Sequence, residues 1–380
     1  MRILQIGKFY PIRGGVEKVM WDLTEGLAAK GIACDMLCCM TPGSTPDEKD
    51  APRHTLEGKN HCLRFSEKSR VVCVPAFARL AATMLSPAMV RWLRKHRDEY
   101  DILHIHHPDP MAALALRLSG FKGKVVLHWH SDIVSQQMLL KLYRPLQSWL
   151  IRRADVIIGT SPVYLEASPW LKDVQDKCRV VPIGIRAVDA SPEKAAALRQ
   201  QYPDQTLVLS IGRLVPYKGY TYLVDAMKWL PEHFHLIIGG EGPLREDLEK
   251  QIAENGLEKR ITLSGYLPSE ELPAWFAAAD VFVLSSVMKS EAFGIVQIEA
   301  MSCGTPVVAT SIAGSGVSWV NKDGFSGRNV PPCNPEALAN AIQEVSENRD
   351  SYGSNARRLF EERYTYGQMI DSVEEIYRGL

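Results

Sequence analysis

Short apolar runs alternate with longer stretches of helical periodicity along the whole chain. In the first half the runs are "RILQIG", "CDMLCCM", "VVCVPA", "DILHIHH", "KVVLHWH" and "DVIIGTS". Between the first two, Val16, Val19, Met20, Leu23 and Leu27 fall on one stripe, which predicts a helix from Val16 to Ala29 with that stripe in the core. The runs begin afresh at "TLVLSIG" and continue through "FHLIIGG", "RITLSG", "DVFVLSS" and "TPVVATS". Strands that alternate with helices predict parallel βαβ units rather than a sandwich. The series breaks at "PIGIRAVDASPEK", a segment rich in Pro, Gly and small residues that reads as a linker. The expected fold class is therefore α/β, with two Rossmann-like doubly wound domains over 1–184 and 185–361. A C-terminal helix over about 362–380 is expected to pack back on the first domain, and a cleft facing both domains is the default ligand site.

Length agrees, because 380 residues exceed what one hydrophobic core usually serves. No run approaches ~18 uncharged apolar residues, and the apolar start "MRILQIGKFYP" is broken too soon for a signal peptide, so a cytoplasmic protein is expected. Eight cysteines contain no Cys-x-x-Cys, which predicts reduced thiols and neither disulfide nor metal. Net charge is zero but uneven: residues 1–184 hold 26 Lys+Arg against 18 Asp+Glu, and the remainder holds 18 against 26. A basic first half suits an anionic partner such as a lipid phosphate or membrane surface; no sequence feature asks for nucleic acid. The segments "MVRWLRKHR" (89–97) and "MLLKLYRPLQSWLIRR" (138–153) mix Trp92, Trp149 and leucines with Arg91, Arg94, Lys95, Arg97, Lys141, Arg144, Arg152 and Arg153. Such helices can lie on an anionic bilayer; the alternative is a core face with a solvated cationic rim.

Ligands of open parallel sheets sit beyond the carboxyl ends of the strands, so the segments that follow each run carry the candidate chemistry. After the first comes Gly14-Gly15, where glycine permits positive φ and close approach to backbone N–H groups; a plain tight turn is the alternative. After the fourth and fifth come His106, His107, His130 and Asp132, which are either ligand contacts or satisfied structural groups. "SIGRLVPYKG" sets Arg213 and Lys218 between Gly212 and Gly219, a pairing of guanidinium fork and ammonium that suits a diphosphate. "GGEGP", with Gly240 and Glu241, reads as a second turn at the same edge. Finally, "SEAFGIVQIEA" starts a helix whose N–H groups at Phe293, Gly294 and Ile295 lack internal partners and suit a phosphate. Glu299, about one turn inside it, is placed for a ribose diol, and Glu291 for the sugar at the other end of the diphosphate. A Glu beside a helix N-terminus also stabilises the dipole by ~0.3–1 kcal/mol without any ligand.

In order, "GGVEK", "DILHIHH", "HWHSD", "GRLVPYKG", "GGEGP", "SEAFGIVQIEAMSCGTPVV" and "DGFSGRNVPP" resemble family 4 of the retaining GT-B glycosyltransferases, over almost the whole chain. The resemblance implies a metal-independent hexosyltransferase of surface polysaccharide synthesis that takes a nucleotide-diphosphate sugar, GDP-mannose or a UDP-sugar, and needs no cofactor. It implies a glycan acceptor, lipid-linked in many bacterial members, bound by the first domain near His106, His107 and Asp132. It assigns Arg213 and Lys218 to the donor diphosphate and leaving group, Glu299 to ribose, and Glu291 and His130 to the donor sugar. Phe293, Gly294 and Ile295 would add backbone N–H groups, Gly212, Gly240 and Glu241 line the donor, and Gly14 and Gly15 close over it. The chain departs from the family at the junction, where relatives often carry Pro-Asn-Gly-Val-Asp and Pro182 to Arg186 read "PIGIR". A nucleotide-sugar epimerase of related fold and a non-catalytic sugar-nucleotide sensor are the alternatives; conversion of donor without acceptor, or absence of turnover, would mark them.

Overall fold

The computed structural model describes residues 1–12, 14–44, 52–80, 83–133, 137–188 and 190–380. They form two compact units, Met1–Ile183 with Gly367–Leu380, and Gly184–Tyr366. Both are Rossmann-like.

The strands of the first unit are β1 (Arg2–Tyr10), β2 (Ala33–Met40), β3 (His54–Glu57), β4 (Asn60–Ser66), β5 (Ser69–Pro75), β6 (Ala78–Leu80), β7 (Thr83–Leu85), β8 (Ile102–His107), β9 (Lys124–Trp129), β10 (Val156–Gly159) and β11 (Cys178–Val180). Nine of them make one sheet in the order β11-β10-β9-β8-β1-β2-β5-β4-β3, parallel as far as β5 and antiparallel beyond. The central strands are apolar throughout because helices cover both faces of a parallel sheet. The chain first builds outward from β1 through β2 and then returns to add β8 to β11 on the other side. Its switch point therefore lies between β1 and β8. The helix Gly15–Ala29 buries Val19, Met20, Leu23 and Leu27, starting one residue before the predicted bound. The last helix, Tyr366–Arg378, lies against this unit through Lys30, which pairs with Asp371 (2.6 Å) and Glu374.

The amphipathic segments resolve towards the core. Met89, Trp92 and Leu93 of helix Pro87–His96 are buried, as are Leu140, Tyr143, Leu150 and Ile151 of helix Gln137–Arg153. Arg91, Arg94, Lys95 and Arg152 are exposed around them. These apolar stripes thus mostly serve the fold, as the alternative of a core face with a cationic rim expects; Leu142, 82% exposed, is the exception. No helix among the described residues is long and apolar enough to cross a membrane.

The second unit carries β12 (Thr206–Ile211), β13 (Phe234–Gly239), β14 (Ile261–Gly265), β15 (Val281–Leu284), β16 (Val307–Thr310) and β17 (Gly327–Val330), all parallel, in the order β14-β13-β12-β15-β16-β17. Val208, Leu236, Ile238, Val283 and Val308 pack with Leu223, Leu248, Leu338 and Ile342 as its core. The switch point lies between β12 and β15. "PIGIR" enters this unit as a short bridge: Ile185 donates its N–H to the Tyr364 carbonyl (2.9 Å), and Arg186 lies over the Tyr366 ring at 4.1 Å. The turns leaving β12 and β13 touch so closely that a Cβ on Gly240, at φ 141°, would lie 2.0 Å from the Gly212 carbonyl oxygen.

Only backbone stands in the way there, so relaxation must move the turn itself. Gly240→Ala is expected to cost roughly 2–3 kcal/mol in urea unfolding and to weaken nucleotide binding through the displaced Gly212 turn.

Candidate functional site

At the second unit's switch point the loops leaving β12 and β15 are tied together. Lys218 Nζ donates to Glu291 Oε2 at 2.6 Å, with 11% and 13% of the two side chains exposed. Ser286 Oγ donates to the same carboxylate oxygen at 3.0 Å. Ser285 Oγ donates to the Lys218 carbonyl (2.9 Å), and Val287 N–H to that of Tyr217 (2.8 Å). Gly219, at φ 68°, admits this approach, since a Cβ would lie 2.2 Å from the Ser285 carbonyl oxygen. The sequence expectation assigned Lys218 to the diphosphate and Glu291 to the sugar; in the unliganded chain they form one half-buried ion pair. Arg213 lies on the same loop, exposed, and among the described residues no group engages its guanidinium.

Beyond Glu291 the chain is pinned by Ser315 Oγ on the Glu291 carbonyl and by Gly316 N–H on that of Ala292 (2.9 Å). Helix Ile295–Ser302 follows, with Gly294 at φ 74° as its N-cap, and its first internal bond runs from Gln297 N–H to the Gly294 carbonyl. The N–H groups of Phe293, Gly294 and Ile295 precede that bond, while the Phe293 ring is buried edge-on against Tyr364. Glu299 stands half-buried on this helix. Glu241 is exposed beside Arg245, and its carbonyl accepts Leu214 N–H (2.9 Å). The sequence therefore located the cationic loop and the helix start, and missed Ser285, Ser286 and Ser315, whose neighbours come from other loops.

The first unit's switch point is built differently. Positive φ falls at Gly7 (146°) and Lys8 (59°), where the register of β1 shifts, whereas Gly14 is extended at φ −138°. The positive φ that glycine would permit at Gly14 is not used; both glycines are exposed, with Gly15 opening the helix. Lys8 donates its N–H to Asp109 Oδ2 (2.5 Å) and its Nζ to the Pro108 carbonyl (2.6 Å). Asp109 Oδ1 accepts the Met111 and Ala112 N–H groups and caps helix Pro110–Ser119. An Asp before a Pro at a helix start is an N-cap signature, so this anchor could have been read from the sequence.

His104 and His106 on β8, with His128 on β9 and His130 just after it, point to one face of the sheet and stack, with adjacent ring centroids 4.0–5.3 Å apart. His107 points to the other face, flat on Trp129 at 3.7 Å. His106 and His107 are fully buried, so the direct acceptor contact expected of them is not open to either. Asp132 Oδ1 accepts from Trp129 Nε1 (3.0 Å) and Ser168 Oγ (2.8 Å), which braces the loop after β9. His130 retains 5% exposure. Nitrogens of His104, His106 and His128 lie within 4.8 Å of one another, but the rings are stacked and both nitrogens of His106 are engaged, so their lone pairs do not converge on a point as metal ligands must.

Two doubly wound units, with a cationic loop and a helix N-terminus at a switch point, constitute the GT-B class of glycosyltransferase. Residues 13–187 match Glycosyltransferase Family 4 and residues 193–361 match Glycosyl transferases group 1. O-antigen chain mannosyltransferase C of Escherichia coli is 32% identical over the whole of this chain and 99% of its own. D-rhamnosyltransferase WbpZ of Pseudomonas aeruginosa is 30% identical, over 96% of this chain and 92% of its own. Among solved structures, Anabaena HepE in complex with UDP superposes with a TM-score of 0.79 at 22% identity, covering both chains fully. The chain belongs to the family 4, group 1 glycosyltransferases and is a hexosyltransferase by class.

Burial holds the imidazoles of the stack below the ordinary range, well below it for His104, His106 and His130 and down to about 3 for His128 and, on the other face, His107. Unfolded histidines titrate near 6.5, so below that pH the unfolded chain binds more protons than the folded one. Stability is thus complete above about pH 6.5 and is lost as pH falls, by ~1.4 kcal/mol per pH unit for each such histidine. Among the described residues His128 has no hydrogen-bond partner on either nitrogen. His128→Leu is expected to leave urea stability near neutrality almost unchanged and to remove about one proton's worth of the acid slope between pH 6.5 and 5.

Proposed function

We propose that the chain transfers a hexose, with retention, from GDP-mannose or a UDP-sugar to a lipid-linked glycan acceptor in surface polysaccharide synthesis. The observation that carries this reading is the Lys218–Glu291 pair beside the free N–H groups of helix Ile295–Ser302, with exposed Arg213 on the same loop. A diphosphate brings the charge that releases Lys218 from Glu291: the cation turns to the phosphates and the carboxylate becomes free to accept a sugar hydroxyl. Arg213, Lys218 and the N–H groups then oppose the negative charge that grows on the leaving nucleoside diphosphate as the anomeric C–O bond breaks. The acceptor oxygen forms the new bond on the same face, and its proton passes to a phosphate oxygen of the leaving group. Glu299 takes the ribose diol, Gly212, Gly240 and Glu241 line the nucleotide, His130 meets a sugar hydroxyl, and Gly14 and Gly15 offer backbone to the donor. No metal or cofactor enters this scheme. Support for the acceptor class comes from the relatives, named as O-antigen mannosyltransferase and D-rhamnosyltransferase, and for the nucleotide from the UDP-bound structure of HepE.

A cytoplasmic enzyme with such an acceptor works at a membrane surface. An apolar cavity of about 300 Å³ in the first unit, lined by Leu80, Met111, Leu114, Leu142 and Leu146, supports a lipid-facing side. Exposed Arg79, Lys141 and Arg144 lie on the segments around it. Co-sedimentation with phosphatidylglycerol vesicles but not with phosphatidylcholine vesicles is expected, lost in Leu142→Glu with Lys141→Glu. Wild-type protein that stays in the supernatant at low salt would favour a soluble acceptor.

For the donor side, Lys218→Ala is expected to lower turnover on the order of 10²-fold and to weaken nucleoside diphosphate binding. Glu291→Ala should lower turnover while diphosphate affinity holds or rises, because it frees the cation. Calorimetry with GDP and UDP, set beside turnover, measures both; equal loss of affinity in the two variants would contradict the assignment.

A further inference from the structure

His130 Nε2 lies 2.9 Å from His106 Nδ1, and His106 Nε2 lies 2.7 Å from Gln5 Oε1. Gln5 Nε2 in turn lies 2.8 Å from Thr24 Oγ1, and Thr24 Oγ1 lies 2.8 Å from the Met20 carbonyl oxygen. Gln5, Thr24 and His106 are fully buried. The direction of every proton in this line follows from its far end. A carbonyl oxygen only accepts, so the Thr24 hydroxyl hydrogen must lie between the two oxygens. Thr24 then faces Gln5 with a lone pair, which requires the amide NH2 on that side; Cys34 Sγ, at 3.5 Å, is a second acceptor for the same group. The amide oxygen is left facing His106, whose Nε2 must carry a hydrogen. Complete burial among other imidazoles, with no carboxylate in hydrogen-bond contact, keeps His106 neutral and allows it one proton only. Its Nδ1 is therefore an acceptor, and His130 Nε2 must be the donor. His130 Nδ1, which no group among the described residues bonds and which is not enclosed, is left with a bare lone pair.

We propose that Thr24, Gln5 and His106 are positioning residues that lock His130 in its Nε2–H tautomer, so that Nδ1 can take only a hydrogen-bond donor from the ligand. The group selected is a hydroxyl; a phosphate or carboxylate oxygen, or a fluorine in place of the hydroxyl, meets lone pair against lone pair. This deepens, and for its catalytic meaning rests on, the reading that His130 meets the donor sugar. The relay itself is a property of the unliganded chain.

Nitrogen-15 NMR of the full chain labelled at histidine reads the tautomer directly, with the His130 signals identified by their loss in His130→Ala. A pyrrole-like Nε2 and a pyridine-like Nδ1 are expected at neutral pH. A protonated Nδ1, or averaged signals from both tautomers, would overturn the relay whatever the turnover shows. Thr24→Val, which keeps the shape and removes the anchor, should let the His130 tautomers mix and lower kcat roughly 10- to 100-fold, the usual effect of losing an orienting partner. His106→Asn keeps an amide oxygen near the former Nδ1 and should restore the tautomer and most of the turnover lost in His106→Leu. Thermal melts of each variant separate these effects from unfolding, and rescue absent in a folded His106→Asn protein would count against the relay. If the tautomer is as assigned but His130→Ala turns over normally, the donor-sugar role fails and the relay stands.

Discussion

The loops at the second unit's switch point depend on one electrostatic contact, the ion pair of Lys218 with Glu291, because it joins two loops that the chain makes more than sixty residues apart. The sheet brings those loops together by reversing its strand order between β12 and β15. The reversal alone leaves a crevice whose sides must still be held at a fixed separation. Hydrogen bonds from Ser285, Ser286 and Val287 supply that, and the glycine at 219 allows the backbones to meet. A half-buried lysine that already has a carboxylate partner is not a permanently unpaired cation, so the unliganded protein avoids most of the cost of an isolated charge. In the proposed reaction, a ligand with two phosphates would outcompete one carboxylate for it, and the exchange would liberate an acceptor group for the sugar.

The first unit solves its polar problem without charge. Four imidazoles stacked on one face of a sheet would repel strongly if protonated, and burial keeps them neutral. Neutral rings have directional donors and acceptors, so order in this unit is an order of protons. It starts at a helix carbonyl, runs through Thr24 and Gln5 and ends at His130. Asp109 plays the corresponding part for the backbone, holding Lys8 and the start of helix Pro110–Ser119 with one carboxylate.

Strands and switch-point loops were legible because they rest on local patterns: apolar runs of strand length, and glycines with cations just after them. The hairpin of β3 and β4 was not, since β3 is largely exposed and β4, with Cys62 and Leu63 buried side by side, follows no apolar alternation. Glycine pairs such as Gly14-Gly15 mark where positive φ is permitted, not where it occurs; it occurs at Gly7 and Lys8, where the register of β1 with β2 shifts, which a single strand does not display. Gln5 and Thr24 looked like a strand residue and a helix residue of no special kind. Their meaning comes from His106, about a hundred positions away, and contact across such distances leaves no trace in spacing. The amphipathic helices failed in the opposite way: their periodicity was correct, but periodicity gives a face and not what covers it.

That last point bears on the basic character of the first unit. Most of its surplus cations are scattered over a solvated rim, where a Debye length of ~8 Å at physiological ionic strength leaves them weak individual attractors. Charge alone would then give an attachment that disappears with salt. In the proposed attachment, an exposed leucine beside an apolar cavity would add a contribution that salt does not screen, with the cations on the same segments turned to the anionic surface. The two terms have different ionic-strength dependences. The part of any vesicle binding that persists at high salt therefore reports on Leu142 and its cavity, and the part that vanishes reports on the rim.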